Sequence, residues 1–308
     1  MGFDAITNDD VRALHTQYSG IYQAAYDAAE IIHPQITTPT PSNSADNTYG
    51  WMAKLPKMRE WLGERVVHRL AGHGFKIANK KFELTLAVSR DDFDDDNLGQ
   101  YTPVARSIGE EAAKHPDDLL FDRMINGHLA TAECFDGQNF FDTDHPIDMF
   151  DSASATQSNY ITSSTLSQDN LFANRALMAA FKGENGRPLR VMPNVLVVPP
   201  ALEKLARTIL AANTVSTGGE NISANLMGYI VVPELGGDAT NDKTWYLLDT
   251  RKAIRPFVFQ TRRKTEFVQK FDMNDENVVM RDEYLWAASG RYNVGYGPWF
   301  LAMKCVGS

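Results

Sequence analysis

Cysteine is scarce in this sequence: only Cys134 and Cys305 occur among 308 residues, and they lie far apart in the chain. A disulfide framework is therefore excluded, and a reducing cytoplasmic environment for folding is expected. No apolar run approaches the roughly twenty residues that a membrane-spanning helix needs. The sequence also lacks the H-E-x-x-H, G-x-S-x-G and C-x-x-C motifs that mark common catalytic and redox sites.

Positive charge is also in deficit, because the chain has 30 Lys and Arg against 39 Asp and Glu, a formal net charge of −9. A dedicated nucleic-acid-binding protein usually carries a surplus of basic residues, so this class is disfavoured. The sequence does contain ample packing material: 43% of its residues are hydrophobic and 22% are charged. That composition is typical of a globular protein, and the length fits one large domain or two ordinary ones.

The first half of the chain predicts two long helices and one exposed strand. Residues 8–30 begin with capping-type and acidic residues, and their apolar and aromatic residues recur with helical spacing. The proline-containing stretch at 33–47 predicts an extended linker, so that the first helix reaches away from the main body. Residues 82–88 alternate apolar and polar side chains with the period of a strand. Helical spacing returns at 104–124, where Pro116 can begin a second helical piece.

The second half of the chain predicts a mixed α+β module. A helix is predicted over "QDNLFANRALMAAF", after a loop rich in Ser, Thr and Asn at 151–169. A short apolar strand, "NVLVVPP", is followed directly by an amphipathic helix, "ALEKLARTILAA". Four further strand-like segments follow between 228 and 272, and the aromatic, Gly-rich ending suits the closing strands of a core.

Two clusters of charged residues are candidate binding sites. The acidic run at 91–99 is similar to a calcium-binding loop, but Asn97 occupies the position that requires glycine and Pro103 the position of the last ligand. A solvated acidic turn is therefore the better interpretation. Six basic residues between Arg251 and Lys264 flank strand-like segments. They are explained as charged ends of exposed strands, with contact to carboxylates of a neighbouring subunit as a further possibility.

The stretch "CFDGQNFFDTDHPI" at 134–147 is the candidate site with the most residues of the metal-binding and catalytic types. Asp142, Asp144 and His145 are residue types from which metal sites are built, and they could serve a metal-dependent hydrolase. However, no further ligands are identifiable elsewhere in the sequence. Asp and His can equally cap turns and satisfy backbone donors, so a structural loop is favoured.

Four segments, taken together and in this order, carry a resemblance that covers nearly the whole chain. They are "YGWMAKLPKMREWLGERVVHRL" (49–70), "NKKFELTLAVSRDDFDDDNLGQY" (79–101), "DGQNFFDTDHP" (136–146) and "RPLRVMPNVLVVPPALEKLARTIL" (187–210). The series resembles the major head subunit of Mu-like tailed phages and prophages. The resemblance implies an α+β fold of the HK97 capsid type, with no catalytic residue and no cofactor or metal.

The same resemblance implies an organisation into five regions. Residues 1–45 correspond to the N-terminal arm, and 46–92 to the extended E-loop with its flanks. The peripheral domain with its long spine helix is expected over 93–165, and the axial domain over 166–290. Residues 291–308 are expected to form C-terminal strands that return to the peripheral domain.

The function that the resemblance implies is structural. Copies are expected to assemble as pentamers and hexamers into an icosahedral shell that encloses double-stranded DNA. A scaffolding and protease protein, a portal protein and a decoration protein are the implied partners, and the shell would be assembled in the bacterial host cytoplasm. Expected intersubunit contacts are Trp51, Arg59, Trp61 and Arg65, because aromatic and Arg side chains dominate interface energetics. An encapsulin-like or gene-transfer-agent shell protein remains as the alternative.

Overall fold

The computed structural model describes residues 8–49, 75–91, 101–149, 151, 153–183, 186–212, 221–272 and 274–308. In these ranges the helices are α1 (Asn8–Ala28), α2 (His33–Ile36), α3 (Tyr101–Asn126), α4 (Gln168–Ala179), α5 (Glu203–Leu210) and α6 (Glu276–Arg281). None of the helices in the described part of the chain combines the length and apolar character that crossing a membrane requires.

The strands are β1 (Thr37–Pro41), β2 (Asp46–Tyr49), β3 (Phe75–Ala78), β4 (Lys80–Ser89), β5 (His145–Pro146), β6 (Thr156–Gln157), β7 (Tyr160–Ile161), β8 (Val195–Val198), β9 (Gly228–Val231), β10 (Thr244–Leu248), β11 (Phe257–Lys270), β12 (Glu283–Tyr296) and β13 (Ala302–Val306). The predicted α+β class is confirmed. Two segments that the sequence predicts as separate strands are joined in β11, whose register against β12 is interrupted around Arg263.

Two sheets organise the chain. The first has the strand order β1–β11–β12–β4, in which β1 runs parallel to β11 and the other pairs are antiparallel. The second has the order β7–β13–β10–β8–β9. β12 ends at Tyr296 and β13 begins at Ala302, so a short connection carries the chain from one sheet to the other.

Helices α1 and α3 cover one face of the four-stranded sheet. Along β12 the alternate residues Tyr284, Trp286 and Ala288 are buried, whereas the residues between them remain partly exposed. This is the period-two pattern expected when one face of a sheet is covered and the other is open. From the helices, Tyr18 of α1 and Ile108 of α3 enter the same hydrophobic cluster.

The prediction that the first helix reaches away from the main body is wrong. α1 packs along α3, and Tyr22 is almost fully buried while its ring stacks on Phe267 of β11 at a centroid distance of 4.4 Å. His15 of α1 stacks on Phe271 at 4.0 Å. Aromatic side chains bury a large area each, and this stabilises α1 against the body more than a free arm could achieve.

The proline-containing stretch after α1 is extended, as predicted, but it joins the sheet. Thr37–Pro41 forms β1 at the edge of the four-stranded sheet. Pro39 and Pro41 lack the backbone N–H that a central strand would need, so an edge position is the one they tolerate. Nearby, the Asp117 carboxylate of α3 accepts hydrogen bonds from the backbone N–H groups of Ile32 and His33, both at 2.7 Å.

A two-stranded antiparallel ladder brings together the two ends of residues 50–74. β2 and β3 pair from Asp46 with Ala78 to Tyr49 with Phe75. The Tyr49 hydroxyl donates to the Gln260 side chain at 2.8 Å, which attaches this ladder to β11. Residues 50–74 themselves, and most of the acidic run at 91–99, lie outside the described residues.

The five-stranded sheet forms the larger core. Trp245, Leu247 and Leu248 of β10 are fully buried, and α4 and α5 contribute Leu171 and Ala206 to the same cluster. A continuous apolar strand buried on both faces matches the pattern that predicts β8 and β10 from sequence. The predicted helices at "QDNLFANRALMAAF" and "ALEKLARTILAA" are found as α4 and as α5 with its preceding 3₁₀ turn.

The predicted ranges 166–290 and 291–308 do not each coincide with one sheet. Within 166–290, β8, β9 and β10 belong to the five-stranded sheet, whereas β11 belongs to the four-stranded one. Within 291–308, the end of β12 lies in the four-stranded sheet and β13 in the five-stranded one. The cause is that β12 pairs with β11 and β13 pairs with β10, so the chain crosses between sheets more often than a linear division assumes.

The close approach of α1 and α3 at Gly109 generates a stability prediction. A Cβ at Gly109 would lie 2.5 Å from the carbonyl oxygen of Tyr22 and 3.1 Å from the Cβ of Ala25. We expect Gly109→Ala to lower the free energy of unfolding by about 1–3 kcal/mol, because the added methyl group pushes the helices apart. Urea unfolding followed by circular dichroism measures the change.

Gly20→Ala is the matched control, since a Cβ there would have nothing within 4 Å. It should raise the free energy of unfolding by about 0.5–1 kcal/mol, because alanine has the higher helix propensity. If both substitutions were stabilising, α1 would not lie against α3 at this point.

Candidate functional site

The stretch at 134–147 forms a tight loop that is anchored in the larger core. The N–H of Gly137 donates to the carbonyl of Cys134 at 3.1 Å, and the N–H of Cys134 donates to the carbonyl of Gln138 at 2.7 Å. Gly137 has a φ of +82°, a conformation that glycine adopts without strain. Phe140 is fully buried and stacks on Tyr296 at 4.6 Å. Asp136 and Gly137 thus lie in a tight turn, and Phe140 anchors the loop in the core.

His145 is buried within this loop, and both of its ring nitrogens have partners. Nδ1 lies 2.7 Å from an oxygen of the Asp136 carboxylate, and Nε2 lies 3.1 Å from Oδ1 of Asn159. The ring stacks on Trp299 at a centroid distance of 4.0 Å and an angle of 6°. Both ring nitrogens are engaged by protein side chains, so neither is directed toward a metal site.

The backbone hydrogen bonds of Asn159 determine which atom of its side-chain amide faces His145. Its Nδ2 donates to three backbone carbonyls, those of Phe140, Trp299 and Ala302, at 2.8, 3.2 and 3.1 Å. Its Oδ1 accepts from the backbone N–H of Asp142 at 2.9 Å. The amide orientation is thereby set by the backbone, and Oδ1 is an acceptor toward His145.

Asp142 and Asp144 interact with each other and with the backbone. Burial acts to raise the pKa of Asp142, but hydrogen bonds from Asp144 and from the N–H groups of Thr143 and Asn139 outweigh it, so this pKa lies below its ordinary value. The hydrogen bond to Asp142 raises the pKa of the exposed Asp144. The Asp142 carboxylate lies 2.7 Å from the Thr143 nitrogen and 3.2 Å from that of Asn139. Its oxygens are thus used to order the turn.

The structure does not assemble the metal cluster that was the less favoured alternative for Asp142, Asp144 and His145. Across the described ranges, no group of three or more His, Cys, Asp or Glu side chains could hold a metal ion. His145 is directed to Asp136 and Asn159, and Trp299 covers its ring. Sequence reasoning missed Asn159 and Trp299 as partners, because no spacing pattern connects residues 14 and 154 positions away from His145.

Lys304 is a second buried polar group that the sequence did not reveal. It lies in β13 within an apolar segment, and its Nζ donates to the carbonyl of Ile125 at 2.7 Å. That carbonyl belongs to the last turn of α3, where the negative end of the helix dipole attracts a cation. Nζ also lies 3.0 Å from Nδ1 of His128 and 5.8 Å from the ring centroid of Tyr160. Burial lowers the pKa of Lys304 to about 8.

The predicted contact residues Trp51, Arg59, Trp61 and Arg65 lie outside the described residues. The structure describes the β2–β3 ladder, whose strands precede and follow their segment in the sequence. That ladder is attached to β11 and β12 through the Gln260 side chain, which accepts from Tyr49 and donates to the Ile77 carbonyl, and through Asn293, which donates to the Ala78 carbonyl.

A long helix on a four-stranded sheet, a second five-stranded sheet and a two-stranded ladder attached to the first sheet are found in the class of phage-type shell subunits with the HK97-like fold. The chain is similar to the subunit in the procapsid of bacteriophage JBD30, with a TM-score of 0.59 and 32% identity over 98% of this chain and 77% of that chain. A JBD30 capsid decorated with minor capsid protein trimers matches at a TM-score of 0.53 and 29% identity, over 76% of this chain and 100% of that chain.

The major capsid protein of Escherichia phage Mu is 31% identical to this chain, over 98% of the chain and 75% of the phage protein. The family model described as "Mu-like prophage major head subunit gpT" matches residues 11–165, 157–235 and 232–307. The chain belongs to this family, whose members are structural subunits and not enzymes. The hydrolase hypothesis is accordingly wrong.

The geometry of the 134–147 loop predicts different roles for two neighbouring residues. His145→Ala removes a buried ring and takes one hydrogen-bond partner from each of Asp136 and Asn159, so we expect it to lower the free energy of unfolding by about 2–4 kcal/mol. Asp144→Ala, at an exposed position, should change it by less than about 0.5 kcal/mol. Chemical unfolding of both variants measures this difference. Stoichiometric metal in the purified protein, lost in both variants, would contradict the structural role.

The pKa of Lys304 predicts a dependence of stability on pH. Below pH 8 this lysine is charged in both the folded and the unfolded chain, whose pKa values are about 8 and 10.5. Between pH 8 and about pH 10 the folded protein loses the proton first, so unfolding takes up a proton and the free energy of unfolding rises with pH. We expect Lys304 by itself to contribute a rise of about 2–3 kcal/mol over this window.

Lys304→Met should remove that rise, and denaturant unfolding between pH 7 and pH 10 provides the measurement. The comparison with the methionine variant isolates Lys304, because other buried groups act in the opposite direction as cysteines and tyrosines of the unfolded chain ionise above about pH 8.5. Burial raises the pKa of Cys134, Cys305, Tyr246 and Tyr296. An unchanged pH profile in the methionine variant would assign the rise to another group.

Proposed function

We propose that this chain is the major capsid protein of a Mu-like phage or prophage, and that its copies assemble as pentamers and hexamers into an icosahedral shell around double-stranded DNA. The observation that carries the proposal is the family match, which runs from residue 11 to residue 307. A shell of this kind requires heterologous contacts that close into rings. The match to phage heads also favours this function over an encapsulin-like or gene-transfer-agent shell.

The architecture supports the proposal because it places extended elements around a rigid platform. The β2–β3 ladder holds the ends of residues 50–74 together, as a projecting loop requires. Contacts through such loops bury area on neighbours that a compact subunit cannot reach. Helices α1 and α3 pack on β12 and stiffen the four-stranded sheet. A contact at one end of the sheet would therefore move the sheet and both helices together.

The five regions are proposed with their limits adjusted to the sheets. The N-terminal arm at 1–45 and the E-loop region at 46–92 keep their predicted ranges. We assign the peripheral domain to α3 together with β11 and β12, and the arm and the E-loop region supply β1 and β4 as edge strands of the same sheet. The axial domain then consists of the five-stranded sheet with α4 and α5, and β13 belongs to it. Sheet membership and shared core clusters support this division.

Several partners and a place of assembly belong to the same proposal. A scaffolding and protease protein acts during assembly, a portal protein occupies one vertex, and packaged DNA lies close to the shell without specific binding. The JBD30 capsid carries minor capsid protein trimers, and a decoration protein is proposed here by that analogy. Assembly takes place in the bacterial host cytoplasm, which suits a chain whose two cysteines are both free and buried.

Trp51, Arg59, Trp61 and Arg65 are proposed as intersubunit contacts. We expect Trp51→Ala combined with Trp61→Ala to abolish closed shells while leaving the thermal stability of the isolated subunit unchanged, because these side chains bury their area on a neighbour. Electron microscopy of the wild-type and variant proteins, each alone and with the scaffold, measures assembly. Calorimetry of the unassembled subunits measures stability.

This experiment tests the shell function and the contact assignment separately. If the wild-type protein forms no shells, capsomers or tubes in either condition, the proposed function fails. If it assembles but the double variant has a lower melting temperature as well as fewer shells, the tryptophans pack within the subunit and the contact assignment fails. Trp286→Ala serves as the reference for an internal tryptophan, since Trp286 is fully buried in β12.

A further inference from the structure

We propose that the open face of the four-stranded sheet binds a carboxylate-rich segment of a second copy of this chain, through a row of three cationic side chains. The row consists of Lys81 of β4, Arg291 of β12 and Arg263 of β11. This inference rests on the proposed shell function, because it is within a shell that copies of the chain meet face to face.

The register of the sheet places these three residues side by side. Arg291 is directly opposite Lys81 on one flank and directly opposite Arg263 on the other. Directly opposed residues of antiparallel strands project from the same face, and neighbouring strands lie about 4.8 Å apart. The Arg263 guanidinium donates to the Ser289 hydroxyl at 3.2 Å, which confirms that it lies on the same face as the alternate residues of β12.

This face is opposite to the one that the helices cover. Trp286 and Tyr292 of β12 are buried with α1 and α3, whereas the odd-numbered residues from 283 to 291 remain partly exposed. Lys81 and Arg263 are exposed at the flanks. Among the described residues, none of the three cations forms an ion pair within 4.0 Å.

Like charges directly opposite each other destabilise a sheet, so such a row carries a cost in the isolated subunit. The nearest carboxylates on the face, Glu83 and Glu266, lie in the next row, on either side of Ser289. The Glu83 carboxylate already accepts from the Thr85 hydroxyl at 2.6 Å. An incoming carboxylate group would relieve the repulsion and form the charge-assisted hydrogen bonds that arginine offers.

A second copy is the occupant that the chain's own charge favours. The sequence carries a formal net charge of −9, and its densest acidic stretch is "DDFDDD", which begins at Asp91. Lys81 and Ser89 are eight residues apart in β4, which corresponds to about 26 Å. Within one chain the acidic stretch therefore starts at the opposite end of the strand from the row. The acidic stretch of a neighbouring copy is not held at that distance from the row, because it belongs to another chain.

The test combines two neutralised variants of the full chain. The row variant carries Lys81→Gln, Arg263→Gln and Arg291→Gln, and the acidic variant carries Asp→Asn at 91, 92, 94, 95 and 96. A control variant carries Lys114→Gln, Lys204→Gln and Lys252→Gln at exposed positions elsewhere, so that its net charge changes as much as that of the row variant. Light scattering and electron microscopy give the critical concentration for assembly at low and high salt.

We expect the row variant and the acidic variant each to raise the critical concentration at low salt about tenfold, with a smaller effect at high salt because exposed ion pairs are screened. The control variant should assemble like the wild type. Mixing the two variants should restore assembly, since the intact row of one then meets the intact acidic stretch of the other. The melting temperature of the row variant as a subunit should not fall, because a repulsive row is removed.

Three outcomes would overturn the inference without touching the shell function, which wild-type assembly tests separately. The row variant could assemble like the control. The mixture could fail to recover, which would place the contact within one chain. Alternatively, the row variant could form normal shells that retain less DNA, which would identify phosphate as the partner of the row. Single Lys81→Gln, at the exposed edge strand, repeats the measurement if the triple variant does not fold.

Discussion

The pairing of β11 with β12 is the interaction on which the rest of the structure depends. These two strands run antiparallel over most of their length. β12 alone supports β4 on its other side, while β11 accepts β1 at the sheet edge. The alternate residues of β12 give α1 and α3 an aromatic surface on which to pack. Loss of this pair would separate β1 and β11 from β12 and β4, and would divide the aromatic surface on which α1 packs.

The second constraint is the connection between the two sheets. After Tyr296 the chain passes through Trp299 into β13, and three buried groups hold that passage. Asn159 donates to the carbonyls of Trp299 and Ala302. His145 stacks on the Trp299 ring, and Lys304 satisfies a carbonyl at the end of α3. Buried polar groups with complete hydrogen bonding specify one arrangement of a core, so the relative position of the sheets is determined here.

Helices and strands were predictable from the sequence wherever the local hydrophobic pattern agrees with the environment that the folded protein provides. The strand at 82–88, the helix over 104–124 and the strand–helix pair at "NVLVVPPALEKLARTILAA" follow from periodicity, and each is present. The loop at 134–147 was predicted as structural because Asp and His can cap turns and because no further metal ligands are identifiable in the sequence. Its partners were not predictable, because Asn159 and Trp299 reach His145 only after the chain has folded back. For the same reason the sequence wrongly predicted that α1 lies away from the body. In the structure Tyr18 and Tyr22 pack on strands more than 200 residues later.

Sequence alone determined the class of the fold, the position of most helices and strands, and the family to which the chain belongs. These properties depend on local periodicity and on residue order, which are present in the chain before it folds. Tertiary structure decided which sheet each strand joins, that His145 serves the core, and that Lys81, Arg291 and Arg263 form one row. Such juxtapositions depend on strand register, and register is set by packing between segments that are distant in sequence.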